Sequence, residues 1–305
     1  AAVGSWSSQG RRAAMEDFTS EFSASAGGAE VTLAGVFDGH NGARAAAFLS
    51  QRLLPEVASQ LSAAAAGAAA AAAPALTEER ARRACVEAFK AVESELLQTA
   101  GSKSFRDGST ACVLGLRGSQ LLCANCGDTR AVLVAAAPRG AAATAQRLST
   151  DHRIEGAERA RIEEAGGRLL FKDCWRVVAG SMAIMVSRSF GDLQFKHGSK
   201  LPRGEALILC TPSVTLHALG PEHLCALVAS DGLWDVMSDD RAAAIAHECF
   251  LGSGGNGGVP RWTPERAQAC AAALGNAALA LNTQDNVSVV VLGFTCSQRA
   301  ASEQK

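Results

Sequence analysis

The sequence predicts an α+β sandwich, and two observations support this fold class. Apolar strand-like segments come first, two helical segments follow, further strands come next, and helices then mix with the last strands. This order differs from the regular alternation of strands and helices in a βαβ protein. With 305 residues, of which 48% are hydrophobic, the chain is also long enough to bury the core of one large domain.

Several apolar segments have the length and composition of buried strands. Four of them comprise residues 31–37, 121–127, 224–230 and 287–292, and a shorter one comprises residues 18–22. We expect these runs to form strands of the sandwich.

Four further segments predict helices. The first helix begins after Gly42, and the second begins at Thr77, a residue type that caps helix N termini. Between them, residues 62–75 are nearly all alanine, and we interpret this stretch as an insertion because it has no distinctive face to bury. Later helices are predicted over residues 155–165, before a Gly-Gly pair, and over residues 264–281.

The composition excludes several classes of function. The formal net charge is −1 and the chain contains no long Lys/Arg run, so neither a nucleic acid nor an anionic membrane is expected as its main partner. No stretch of about 18 strongly apolar residues or signal-peptide pattern occurs, which predicts a cytoplasmic or nuclear protein. The chain starts at Ala1, so the alternative that an upstream targeting segment has been removed stays open.

The ten cysteines indicate a reducing compartment, because most of them lie inside apolar stretches. Cys123 and Cys126 form a lone CxxC motif, but a zinc site needs two more ligands at suitable spacing. We therefore predict that both are buried thiols.

Acidic residues stand at the ends of the four long apolar strands. Asp38, Asp128 and Asp231 each follow a strand, whereas Asp285 precedes one. If the last strand lies antiparallel to the others, all four carboxylates reach the same edge of the sandwich. Such crowding of like charges is unfavourable unless cations neutralise them. The pattern therefore predicts a site for more than one metal ion. Glu16 and Asp17, just ahead of the shorter strand 18–22, can join it.

The residues near Asp38 indicate which metal the site would bind. Carboxylate oxygens without clustered His or Cys favour Mg²⁺ or Mn²⁺ over Zn²⁺. Gly39 follows Asp38 directly, and a residue without a side chain lets its backbone carbonyl approach a metal. His40 would then lie beside the metals, where its near-neutral pKa suits it to proton transfer.

Two further candidates depend on spacing. Arg12 lies four residues before Glu16, from where its guanidinium can reach a phosphate as a bidentate donor. Asp231 and Asp235 lie four residues apart, so both can face one ion if the chain turns after Gly232. The alternative for Asp235 is a helix N-cap.

Nine motifs along the chain together carry a family resemblance. They are Arg12-Ala-Ala-Met-Glu-Asp17, Val36-Phe-Asp-Gly-His-Asn-Gly42, Asp107-Gly-Ser-Thr-Ala111, Ala124-Asn-Cys-Gly-Asp-Thr-Arg-Ala-Val132, Thr150-Asp-His152, residues 158–167, Val186-Ser-Arg-Ser-Phe-Gly-Asp192, residues 230–237 and Asp285-Asn-Val-Ser-Val289. With these motifs the chain resembles the metal-dependent serine/threonine protein phosphatases of type 2C. The resemblance extends from Arg11 to Leu292, with the motifs in the family's order.

This resemblance implies a role for each candidate residue. It implies two Mn²⁺ or Mg²⁺ ions bridged by Asp38, one held also by Asp231 and Asp285, the other also by Glu16 and the Gly39 carbonyl. Asp128 and Asp235, with Asp231, match positions that hold a third, weaker metal. Asp17 supports the site through water and Asn286 lies in the same outer layer, while Arg12 binds the substrate phosphate and His40 is the general acid.

The resemblance also implies the architecture and the activity. The expected fold is a four-layer α-β-β-α sandwich with two central, mainly antiparallel sheets. Residues 1–296 are expected to form one catalytic domain and residues 297–305 a tail. The expected activity is hydrolysis of phosphoserine and phosphothreonine in proteins by a metal-activated water, without a covalent phosphoenzyme, and the expected enzyme is a monomer that acts on phosphoproteins.

Two alternative functions stay open at this point. One is a catalytically silent pseudophosphatase that binds phosphoproteins, and the other is a metal enzyme that acts on small phosphate esters or phosphodiesters. A phosphocysteine mechanism is not expected, because no cysteine is followed six positions later by arginine. The segment after Asp128, especially residues 151–168, is expected to shape the substrate cleft.

Overall fold

The computed structural model describes residues 1–26, 29–66, 76–136, 142–196, 205–252 and 260–295. The strands, in chain order, are β1 (Ala2–Ser8), β2 (Phe18–Ala26), β3 (Ala29–Phe37), β4 (Gly39–His40), β5 (Gly108–Ser109), β6 (Ala111–Arg117), β7 (Gln120–Cys126), β8 (Arg130–Ala135), β9 (Thr144–Arg147), β10 (Arg168–Phe171), β11 (Trp175–Ala179), β12 (Met182–Ile184), β13 (Phe190–Gly191), β14 (Ser213–Ala218), β15 (His223–Ala229) and β16 (Val287–Gly293). The helices are α1 (Arg44–Ala66), α2 (Glu78–Lys103), α3 (Gly156–Glu164), α4 (Leu193–Lys196), α5 (Asp231–Trp234), α6 (Asp239–Leu251) and α7 (Pro264–Ala280).

Two antiparallel sheets pack face to face and carry helices on their outer sides. The first sheet has the order β1-β16-β15-β8-β9, and the second has the order β14-β7-β6-β3-β2. A core that includes Val36 and Leu114 of the second sheet and Val228 and Val290 of the first lies between them. Helices α1 and α2 cover the second sheet, and α6 and α7 cover the first. The predicted four-layer α-β-β-α sandwich is confirmed.

The central strands are buried on both faces, which explains their continuous apolar sequences. Every residue of β16 is buried, and so is every residue of β3 from Val31 to Phe37. Helix α7 lies close to β1 because Gly275 has no side chain: a Cβ there would lie 2.0 Å from the ring of Trp6.

The predicted helix starts are also confirmed. Thr77 caps α2, and its hydroxyl accepts a hydrogen bond from the Arg80 N–H at 3.3 Å. Helix α1 continues through Ala66 and so includes the start of the predicted insertion, since alanine is the strongest helix former. The rest of that insertion, residues 67–75, and the predicted tail 297–305 lie outside the described residues.

Two small sheets lie beside the sandwich and border the site described below. One contains the two-residue strands β4, β5 and β13, and the other contains β10, β11 and β12. The cysteines among the described residues are free thiols, and Cys123 and Cys126 are buried as predicted. Among these residues, no helix has the length and apolar character needed to cross a membrane.

Candidate metal centre and catalytic cleft

A cleft of about 460 Å³ opens at the edge of the sandwich where the acidic strand ends meet. The candidate residues that line it are Arg12, Glu16, Asp38, Gly39, His40, Asp128, Asp231, Asp285 and Asn286. Arg176 and residues 183–186 line it as well. The cleft therefore contains most of the residues singled out by sequence.

The strand directions explain why these carboxylates meet. Strands β3 and β7 both pair antiparallel with β6 and so run in the same direction, which brings Asp38 and Asp128 to one end of the second sheet. In the first sheet, β15 and β16 are antiparallel neighbours, so Asp231 after β15 lies near Asp285 before β16. The packing of the two sheets brings both pairs to one cleft.

Burial and mutual repulsion disfavour the ionised form of these carboxyl groups. Burial, together with the charges of Asp17 and Asp231, raises the pKa of Asp38 well above its usual range. Burial and, to a smaller extent, the charge of Asp128 raise the pKa of Asp231 well above the usual range as well. A cluster of this kind is stabilised by cations that allow all its members to ionise.

The donor chemistry of the cleft fits hard divalent cations. Its candidate ligands are oxygen atoms, as Mg²⁺ and Mn²⁺ prefer. Gly39 packs against the backbone of Glu16, where a Cβ would lie 2.4 Å from the Glu16 carbonyl oxygen. In the part of the chain that the structure describes, no three His, Cys, Asp or Glu side chains form a ready-made metal site. The role of these carboxylates as metal ligands therefore stays a prediction.

Asp17 and Asn286 support the cleft: Asn286 lines it, whereas Asp17 is not among the lining residues. Asp17 is buried, and its carboxylate accepts a hydrogen bond from the Ser230 hydroxyl at 2.8 Å. Burial raises the pKa of Asp17 to about 6. The Asn286 side-chain oxygen accepts the Glu16 N–H at 2.8 Å, and its amide nitrogen donates to the Ala14 carbonyl at 3.0 Å. Asn286 therefore fixes the backbone that carries Glu16.

Arg12 stands at the rim of the cleft with an exposed side chain. Its Nη2 donates to Asp285 Oδ2. This ion pair holds the guanidinium directly beside the carboxylate cluster, in a position where it can meet an anionic ligand.

The two candidates for a third metal differ in their surroundings. Asp128 is half-buried and borders the cleft, whereas Asp235 is exposed and forms an ion pair with Arg153 at 3.4 Å. Both line a smaller adjoining groove of about 180 Å³ together with Asp231. The alternative interpretation of Asp235 as an N-cap is wrong, because it ends α5 and Ser238 caps α6.

His40 is bound to a residue to which sequence reasoning assigned no role. Its Nε2 lies 2.7 Å from Oδ2 of Asp192, which is fully buried. Burial alone would lower the pKa of His40, but the charge and hydrogen bond of Asp192 outweigh it and raise the pKa above its usual value. The sequence signal that could have identified Asp192 was its position in the motif 186–192, one of the motifs that carry the family resemblance.

The segment after Asp128 contributes to the cleft, but not through the part that we expected most. Within residues 151–168, Arg153 and Glu155 line the adjoining groove. Arg176 on β11 and residues 183–186, on β12 and directly after it, line the main cleft. The short β10–β12 sheet turns these residues towards the site, which local sequence patterns do not reveal.

Comparisons with known proteins agree with this geometry. The family model "Protein phosphatase 2C" matches residues 1–287. The chain is 36% identical over 303 residues to "Probable protein phosphatase 2C 68" of Oryza sativa subsp. japonica, and the aligned region covers 95% of this chain and 77% of the rice protein. It is 32% identical over 297 residues to "Probable protein phosphatase 2C 69" of Arabidopsis thaliana, covering 97% of this chain and 71% of that protein.

A solved structure shares the fold. The serine-threonine phosphatase 2C from Toxoplasma gondii superimposes with a TM-score of 0.75 over 96% of this chain and 94% of that chain, at 21% sequence identity. Taken with the match over almost the whole sequence, these findings lead to one conclusion: the chain belongs to the protein phosphatase 2C family and is a protein serine/threonine phosphatase.

Proposed function

We propose that this protein hydrolyses phosphoserine and phosphothreonine in proteins with the help of two Mg²⁺ or Mn²⁺ ions, and that water attacks the phosphate directly. The observation that carries the proposal is the convergence of Glu16, Asp38, Asp231 and Asp285 in one cleft. Dependence on Mg²⁺ or Mn²⁺ is general in the family, and the oxygen-only donor set of this cleft suits both ions.

Each candidate ligand has a place in the proposal. Asp38 would hold both ions, with Asp231 and Asp285 completing the ligands of one, and Glu16 and the Gly39 carbonyl those of the other. A third, weaker ion would be held by Asp128 and Asp235 with Asp231. When bound, such ions lower the pKa of a coordinated water and offset the charge of the phosphate.

Arg12 and His40 would act on the substrate itself. The exposed Arg12 guanidinium can donate two hydrogen bonds to the phosphate oxygens, in exchange for its contact with Asp285. His40 lines the same cleft and would give a proton to the serine or threonine oxygen as its bond to phosphorus breaks. The leaving group then departs as a neutral hydroxyl, and inorganic phosphate is the second product.

Two buried cysteines and the lining of the cleft support direct transfer to water. Burial raises the pKa of Cys112 and of Cys126 well above the usual thiol range, so neither thiol is prepared to act as a nucleophile. The cleft itself contains no cysteine among its described lining residues. A cysteinyl-phosphate intermediate is therefore not part of the proposal.

No observation favours a catalytically silent binding protein. Every carboxylate that the resemblance assigns to the two metals is retained and borders the cleft. We further propose that residues 1–296 act as one catalytic unit, that the unit is monomeric, and that phosphoproteins rather than nucleic acids or membranes are its partners.

The test is turnover of a phosphoserine peptide with added Mn²⁺. We expect hydrolysis by the wild-type protein and its loss on chelation or in Asp38→Ala. Asp240→Asn is a matched control, since Asp240 is exposed on α6 and outside the cleft. Absence of turnover with Mn²⁺ demonstrably bound would contradict the proposal and favour a binding protein. Turnover of small esters or phosphodiesters alone would contradict the assigned substrate class.

A further inference from the structure

Three short strands bring His40 and Asp192 together. Strand β5 lies between β4, which contains His40, and β13, which ends one residue before Asp192. Gly108 of β5 lies against the contact between the two side chains: a Cβ there would be 2.1 Å from Asp192 Oδ2 and 2.3 Å from His40 Nε2. The contact therefore depends on a glycine at this position.

Two further hydrogen bonds hold Asp192 in place. The Oδ2 atom that contacts His40 also accepts the Ser189 hydroxyl at 2.6 Å, and the Asp192 backbone N–H donates to the Asp107 carbonyl at 3.1 Å. Asp192 has a φ of +49°, which is uncommon for a residue with a side chain and persists where the surroundings enforce it. Since the carboxylate is fully buried, His40 is its main partner towards the cleft.

A buried ion pair anchors the segment that carries Asp192. Lys196 Nζ lies 2.8 Å from Glu93 Oε1 and donates to the Ser189 carbonyl at 2.6 Å. Glu93 Oε2 accepts the Gly191 N–H at 2.9 Å. Both charged side chains are almost completely buried, and breaking such a pair is strongly unfavourable. Ser189 and Gly191, which both precede Asp192, are thus tied to α4 and α2, respectively.

We infer that Asp192 is a positioning residue that orients the His40 ring, and that Ser189 and the Lys196–Glu93 pair keep Asp192 in place for this purpose. By binding Nε2, Asp192 leaves Nδ1 as the ring nitrogen for proton transfer to the leaving group. The inference rests on the proposed function, because it concerns how the general acid of that reaction is held. Asp192 itself does not touch the substrate.

The experiment compares two substrates that differ in their need for an acid. A serine alkoxide is a poor leaving group, whereas nitrophenolate departs without protonation. With Mn²⁺ present, we expect Asp192→Asn to lower kcat on a phosphoserine peptide by at least about tenfold and kcat on p-nitrophenyl phosphate less than about threefold. In a His40→Ala background, Asp192→Asn should cause no further loss, because its effect acts through His40.

Milder variants keep the inference testable if Asp192→Asn does not fold. Ser189→Ala removes one hydrogen bond to Asp192 and should produce a smaller loss with the same preference for the phosphopeptide. Gly108→Ala should reproduce the selective loss by forcing the pair apart. Gly101→Ala is its control, because a Cβ at Gly101 in α2 meets nothing within 4 Å.

The results separate this inference from the proposed function. Equal losses on both substrates, or a further loss from Asp192→Asn in the His40→Ala background, would overturn the positioning role. If His40→Ala loses phosphopeptide turnover selectively but Asp192→Asn and Ser189→Ala do not, the inference alone fails. If His40→Ala shows no selective loss, the acid role in the proposed function fails, and the inference fails with it.

Discussion

Replacement of Asp17 by Asn should stabilise the metal-free protein. Asp17 is buried behind the carboxylate cluster, and burial raises its pKa from 3.8 to about 6. The shift of about 2 units means that its ionisation costs about 3 kcal/mol of folding free energy at neutral pH. Asn can still accept the Ser230 hydroxyl, so we expect a gain of up to about 3 kcal/mol, or about 5 °C in Tm.

The sign of the effect depends on pH and on metal. Because the folded-state pKa of Asp17 is raised, this carboxyl costs no stability well below pH 3.8, where it is protonated in both the folded and the unfolded state, and its full cost is reached once the pH has risen through about 6. The advantage of Asp17→Asn should therefore be small at pH 4 and complete above pH 7. Bound Mn²⁺ favours the ionised carboxyl, so the advantage should shrink when metal is added.

The assay is thermal and urea unfolding between pH 4 and 8, with chelator or with Mn²⁺. Glu21→Gln is the matched control, since Glu21 is an exposed carboxylate on β2 and should show neither dependence. Unchanged or lower stability of metal-free Asp17→Asn, or a gain that Mn²⁺ does not reduce, would refute the electrostatic reasoning.

Three other changes test separate parts of the structure. Burial lowers the pKa of His152 to about 4. The neutral ring therefore stabilises the fold above pH 6.5, and this contribution, roughly 3 kcal/mol, is lost as the pH falls to 4. His152→Gln should flatten the dependence of the unfolding free energy on pH, and an unchanged slope would contradict this. Arg12→Ala should raise KM for a phosphopeptide about tenfold or more while Mn²⁺ affinity stays within a few-fold, and an unaltered KM would remove Arg12 from phosphate binding. Gly39→Ala should weaken Mn²⁺ binding, measured by calorimetry, because its Cβ would meet the Glu16 carbonyl at 2.4 Å; wild-type affinity would show that the close approach is dispensable.

The sandwich and its acidic edge could be predicted because their signals are local. Strands buried on both faces give continuous apolar runs, as in β16, and an acidic residue at a strand end is visible in the sequence itself. Once antiparallel pairing is assumed, the convergence of Asp38 and Asp285 follows. Caps such as Thr77 fixed the helix starts for the same reason.

The remaining features could not be predicted because they depend on contacts between distant segments. His40 and Asp192 are 152 residues apart, and the strands that join them are two residues long and carry no periodicity. The ion pair between Arg12 and Asp285 joins opposite ends of the chain. Likewise, the position of Arg176 in the cleft wall follows from how the β10–β12 sheet is placed, which no local pattern reports.

Counting the Mn²⁺ ions bound by the protein and by Asp38→Asn tests the central claim most directly. Equilibrium titration followed by electron paramagnetic resonance gives the number of tightly bound ions per chain without any assay of activity. The shared role of Asp38 predicts two such ions for the wild-type protein and for the control Asp240→Asn, and fewer than one for Asp38→Asn. Two ions bound by Asp38→Asn with wild-type affinity would contradict the claim that this carboxylate holds both.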